Sequence, residues 1–190
     1  MGKLFENLHL TLAAGLVLAL AMAGVFHADT LTGVVVFRWL HVFFGITWIG
    51  LLYYFNFVQI PTMPSIPAEL KPAVSKYIAP KALFFFRWGA ALTVLTGLIV
   101  AMLSAYLVEA LTLQPQVRLI GIGMWLALIM AFNVWFIIWP NQKRALGLVE
   151  ADDASKAKSA RTAMLTSRLN TLLSIPMLYA MATQSHVATS

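Results

Sequence analysis

Four histidines and no cysteine set the chemistry open to this chain of 190 residues. Without cysteine there is no disulfide, thiolate metal site, cysteine nucleophile or CxxCH attachment of a c-type heme. His41 lies in the run RWLHVFFGITWIG, Arg38 to Gly50. On a helix Arg38, His41, Gly45 and Trp48 share one stripe, because residues three, four and seven apart face the same way. A neutral imidazole ligates heme iron or another metal. Gly45, one turn below His41, removes the side chain where a flat macrocycle would lie. Arg38, one turn above, offers a planar fork to a propionate, and Trp48 a ring to pack on a porphyrin. The stripe predicts a heme b-like site with His41 as iron ligand. The plainer reading of Gly45 is close helix packing. His9, His27 and His186 sit at the ends of apolar runs, where the plainer reading is an imidazole reaching for water.

A second group is polar but not catalytic by type. Tyr53, Tyr54, Asn56 and Gln59 are followed by Arg87 and Trp88, then by Asn133, Trp135, Trp139, Asn141 and Gln142, then by Asn170. Polar side chains inside apolar segments need partners. Asn56, Arg87, Asn133 and Asn170 are the candidate substrate residues, in a pocket for a small planar polar ligand such as a purine or a quinone headgroup. The alternative is interhelical hydrogen bonding with an interfacial Trp/Tyr belt. No Ser-His-Asp arrangement, Walker A loop or HExxH occurs, and paired intramembrane carboxylates of the proton-coupled kind are missing.

The elements that must position these residues are membrane helices. Hydrophobic residues make up 61% of the chain and charged ones 11%, with a mean hydropathy of +0.82. Soluble domains carry roughly 25% charge, so an ordinary soluble enzyme, a disordered chain and a nucleic-acid-binding domain are excluded. About 20 apolar helical residues cross a bilayer core. Segments 10–26, 32–58, 83–108, 117–139 and 168–183 are the predicted spans of one integral membrane domain over 1–190. The fold class is thus all-α, a polytopic bundle of about five transmembrane helices. The first segment also has signal-peptide features (Lys3, Ala21, Ala23, Gly24), and we expect it to be retained.

Ten of the thirteen basic residues fall on one side of this layout, from Lys3 through Lys71, Lys76 and Lys81 to the Lys143–Arg168 region. The positive-inside rule puts the N-terminus and the loop 141–167 in the cytoplasm, the latter as a helical extension with solvated faces, and the C-terminus in the periplasm. The expected location is a bacterial inner membrane. His41 and His186 then lie on the same, outer side.

The runs Arg38–Gln59, Pro80–Leu98, Asn133–Asp152 and Ser167–His186 together resemble the bacterial membrane-bound urate hydroxylase family, also called the urate oxidase N-terminal domain. More distantly, the LHV and WIG pattern is similar to heme-binding membrane proteins of the copper-resistance and protoporphyrinogen oxidase types. The resemblance implies that His41 and His186 are the heme ligands, with Asn170 and the pair Arg87-Trp88 as further family positions. His27 is a substitute for His186. It also implies oxidation of urate to 5-hydroxyisourate, with electrons passed to a fused cytochrome c domain. These residues contain no CxxCH, so the expectation is a short form whose acceptor is a separate periplasmic cytochrome c or a quinone. Two other classes stay open. One is an accessory subunit of a larger membrane complex, or a homo-oligomer, with Gly89, Ala90, Gly97 and Ala101 buried against a partner. The other is a carrier for a small solute.

Overall fold

The computed structural model describes residues 2–187, with side chains through 183. Among the described residues there are helices and turns and no strand. Contacts divide the chain into two compact units, Met1–Val36 and Phe37–Ser190. The first holds α1 (Gly2–Glu6), α2 (Leu8–Phe26) and the first residues of α3. Asn7 caps α2 by accepting from the backbone N–H groups of His9 and Leu10. His27 closes α2, its backbone N–H bonded to Ala23 O.

The second unit is built from α3 (Gly33–Ser65), α4 (Lys71–Leu103), the short α5 (Leu107–Leu111), α6 (Pro115–Ala145) and α7 (Asp153–Val187). With α2, the helices α3, α4 and α6 are long and apolar enough to cross a membrane. The all-α helical bundle expected from the sequence is the architecture found. Large apolar side chains such as Ile46, Phe57, Phe136 and Ile175 are exposed, the distribution of a chain surrounded by lipid.

α7 is longer than the segment expected at 168–183 and less apolar than the four helices able to cross a membrane. Its polarity is turned inward. Ser159, Ser167, Asn170 and Ser174 are buried, while Leu165, Leu169, Leu172, Ile175 and Tyr179 are exposed. Of the extension expected to be helical over 141–167, residues 146–152 are turn and irregular and the helix resumes at Asp153. Its faces are not all solvated either, because Ser159 and Ala163 are buried.

The predicted span 83–108 is corrected at both ends. Helix α4 starts at Lys71 and stops at Leu103, because Ala105 takes a left-handed φ of 56°. Tyr106 N–H then bonds Ala101 O, and Ala105 N–H bonds Met102 O, the paired pattern of a Schellman helix end. The same pattern ends α5 at Leu113 (φ 57°) and α6 at Gly147 (φ 71°).

Three helices loosen into a π turn near one end of the bundle: Tyr54–Gln59, Val74–Ile78 and Asn133–Ile138. Each is followed at the second residue by a proline: Pro61, Pro80 and Pro140. A proline lacks the N–H and presses on the carbonyl four residues back. The chain answers by pairing one residue earlier at i to i+5: Ile60 N–H to Phe55 O, Ala79 N–H to Val74 O and Trp139 N–H to Val134 O. These turns carry Asn56, Gln59 and Asn133, and π turns are enriched at functional sites.

Candidate functional site

The stripe on α3 faces α4, and α4 answers it with small residues four apart: Gly89, Thr93, Gly97 and Ala101. Such spacing lets two helices approach closely. A Cβ on Gly89 would lie 3.3 Å from Trp48 N, and one on Gly97 would lie 2.8 Å from His41 Cε1 and 3.0 Å from its Nδ1. The His41 ring thus rests on the bare backbone of Gly97. Its Nδ1 lies 2.8 Å from the Thr93 carbonyl oxygen. A carbonyl only accepts, so Nδ1 carries the proton and Nε2 keeps its lone pair. Metal-ligating histidines commonly hold this tautomer, the distal N–H tied to a carbonyl and the other nitrogen left for the metal.

The other stripe residues divide. Gly45 sits against Thr93, where a Cβ would be 3.8 Å from the methyl carbon. Trp48 is 0% exposed, enclosed by protein, with Nε1 buried and unpartnered among the described residues. Arg38 is exposed and lies close enough to Tyr106 for its charge to act there. Burial raises the Tyr106 phenol above its ordinary value, and Arg38 works in the opposite direction. His186 belongs to the last turn of α7, but its side chain lies outside the described residues.

The polar group forms a ladder between helices. Tyr53 OH and Ser174 Oγ are 3.0 Å apart. Asn133 Nδ2 donates to Asn170 Oδ1 at 2.8 Å, and Asn170 Nδ2 to Met130 O at 2.9 Å. Asn56 Nδ2 donates to Ser167 Oγ at 2.7 Å and to Leu52 O at 2.9 Å. The Arg87 guanidinium carbon lies 3.3 Å from the Trp139 ring centroid, with Lys143 Nζ at 5.6 Å from it. Of the four candidate substrate residues only Asn133 and Asn170 bond to each other. Their mutual hydrogen bonding inside the bundle is what joining α6 to α7 requires. The nearby cavity, of about 150 Å³, is lined instead by residues including Phe55, Gln59, Leu83, Gln142 and Ser167.

Residues 99–190 match the family described as Urate oxidase N-terminal. The match covers a little under half of the chain. The matched segment takes in the end of α4 and all of α5, α6 and α7, hence the Asn133–Asn170 pair and Trp139. His41, Asn56 and Arg87 precede it. No curated protein and no solved structure matches the chain.

The sequence reading missed Thr93 and named Gly97 only as part of a partner-packing face; both position His41. The four-residue spacing of small residues on α4 is the signal that marks them. That face is buried within the chain, since Gly89, Ala90 and Ala101 are buried against its own helices. The expectation that it packs against a partner is corrected accordingly.

Proposed function

We propose that this chain is a membrane redox protein of the urate hydroxylase type, binding heme b through His41. The observation that carries the reading is the His41–Thr93 hydrogen bond, which fixes the ring and leaves Nε2 free. The donor chemistry fits a heme: a neutral imidazole held from behind, with an exposed guanidinium, Arg38, one turn above for a propionate. His186 is the proposed second ligand. Bound heme would supply one-electron transfer. The protein's own part is to hold and orient the imidazole through Thr93 and Gly97, and to present the Arg38 guanidinium at the helix end. The match of residues 99–190 to the family described as Urate oxidase N-terminal supports urate as the substrate class. A periplasmic cytochrome c or a quinone is the proposed acceptor, and a bacterial inner membrane the proposed location.

We take α7 as the fifth span. Its apolar outer face meets lipid and its polar inner face is hydrogen-bonded, as a spanning helix requires. The basic residues then place the π-turn end of the bundle in the cytoplasm.

The test is a reduced-minus-oxidised absorbance spectrum with a pyridine hemochrome assay on protein purified from heme-supplied cells. A b-type spectrum lost in His41→Ala is the expected result. Colourless wild-type protein, or a spectrum unchanged by His41→Ala, would overturn the assignment. The accessory-subunit reading predicts colourless protein.

A further inference from the structure

Arg87 is a charge set in the apolar helix α4 without a countercharge. The one ion pair among the described residues joins Lys156 to Asp153. Arg87 donates no hydrogen bond among those residues either. Of its guanidinium nitrogens Nη1 is enclosed and out of reach. The residue as a whole is only partly buried, so Nε and Nη2 stay open to what lies beside the helix. A charged side chain within a membrane helix is costly and normally has a partner.

What Arg87 touches is a ring that a second cation shares. Its guanidinium carbon lies 3.3 Å from the centroid of the Trp139 ring, and Lys143 Nζ lies 5.6 Å from the same centroid. The two cations therefore stand within about 9 Å of each other, and like charges at that range repel. The ring attracts each of them but neutralises neither. An anion beside both would relieve the repulsion. A phosphate suits the pair, since its several acceptor oxygens meet a guanidinium fork and an ammonium alike.

The surroundings say where that phosphate comes from. On α4, Phe84 and Trp88 flank Arg87 and are exposed; on α6, Phe132 and Phe136 are exposed and stacked at 4.8 Å. Trp88 meets Trp135 edge-on at 5.6 Å. That contact joins α4 to α6 one turn farther from the end of α6 than Trp139. An exposed apolar strip thus runs from the two cations along the seam between the helices. Such a strip marks a surface for acyl chains, and basic groups between membrane helices at one end of a bundle are where phospholipid headgroups bind. A free anion arriving from water gains nothing from the aromatics.

We propose that Arg87 and Lys143, gathered on Trp139, hold the phosphate of an anionic phospholipid, with its acyl chains against the exposed aromatics of the α4–α6 seam. The site uses neither His41 nor the Asn133–Asn170 pair, so the proposal does not rest on heme binding.

The experiment titrates the detergent-purified full chain with phosphatidylglycerol or phosphatidylcholine and follows the first bound lipid by native mass spectrometry. Phosphatidylglycerol is expected to bind at least about fivefold more tightly, the attraction that one basic residue near a bilayer surface supplies. Arg87→Met and Lys143→Gln are each expected to remove that preference. Should Arg87→Met fail to fold, Lys143→Gln reads the same loss. Arg144→Gln removes an equal charge from the exposed neighbour of Lys143 and is expected to leave the preference intact. Equal affinity for the two lipids in wild type would overturn the proposal, as would a preference that survives Lys143→Gln. A loss just as large in Arg144→Gln would mean general attraction by the basic helix end and overturn it too. Inorganic phosphate at millimolar concentration is the second arm, read by thermal unfolding with tryptophan fluorescence. Phosphatidylglycerol is expected to raise the Tm and inorganic phosphate to leave it unchanged. A rise with inorganic phosphate that Lys143→Gln abolishes would make this a site for a free anion and overturn the lipid assignment.

Discussion

His41 Nδ1 lies 2.8 Å from the carbonyl oxygen of Thr93, with the imidazole laid on Gly97. The hydrogen bond and the missing side chain depend on each other, since the ring reaches Thr93 only where α4 has no Cβ. Gly97→Ala would put a methyl 2.8 Å from Cε1 and 3.0 Å from Nδ1. The ring must then turn, and the bond to Thr93 breaks. Overpacking of this kind costs about 1–3 kcal/mol, read as a lower Tm. If His41 ligates heme, the absorbance spectrum shifts or disappears with it. Gly50→Ala is the control on the partner helix. Nothing lies within 4 Å of its added Cβ, so its Tm stays the same or rises slightly, as alanine replaces glycine in a helix.

The Asn133–Asn170 contact makes a quantitative claim about what holds α6 to α7. Asn170 is 0% exposed and uses both ends of its amide. Losing either partner strands a buried polar group. A double-mutant cycle with Asn133→Leu and Asn170→Leu is expected to give a coupling of about 0.5–2 kcal/mol, the range for side-chain hydrogen bonds between membrane helices. Unfolding in mild detergent measures it. A coupling near zero would mean that each amide finds another partner when its neighbour is gone.

Ala105 and Leu113 end their helices in the left-handed region, where a side chain is disfavoured. Ala105→Gly keeps the Schellman hydrogen bonds of Tyr106 and Ala105 and removes the Cβ. We expect it to stabilise the protein by about 0.5–1 kcal/mol, seen as a higher Tm. Leu113→Gly is less favourable, because the leucine side chain also packs at Gly121, where an added Cβ would lie 3.0 Å from Leu113 Cδ2.

The same two residues show where the sequence was legible and where it was not. Long apolar runs identified α2, α3, α4 and α6, because hydropathy is a local property of the chain. The end of α4 and the separate helix Leu107–Leu111 stayed hidden, because the left-handed caps are an alanine and a leucine rather than a glycine. Gly147, which does carry that signal, closes α6 about two turns beyond the end expected at 139. The weak apolarity of α7 has a different origin, since its serines and asparagine point inward and are paired there. At the candidate site, the type and spacing of residues singled out His41. The Thr93 carbonyl belongs to the backbone and no side-chain pattern could name it. Trp48 was legible as part of the stripe, but its enclosure against Gly89 follows only from how α3 and α4 approach.

Asp152, the residue before α7, caps its N-terminus and gives a prediction in pH. Its Oδ1 accepts the Ser155 backbone N–H and its Oδ2 the Ser155 hydroxyl, both at 2.8 Å. These hydrogen bonds favour the carboxylate and hold its pKa below the ordinary value. A group depressed on folding contributes stability above its unfolded pKa, about 3.9, and loses it as pH falls through the lower folded value. Asp152→Ala removes both hydrogen bonds and the negative charge at the helix N-terminus. The variant is therefore expected to have a lower Tm than wild type at neutral pH. That difference should narrow as the pH is lowered past about 4, tracked by tryptophan fluorescence in detergent. A gap independent of pH down to 3 would show that the charge of Asp152 contributes nothing to the cap.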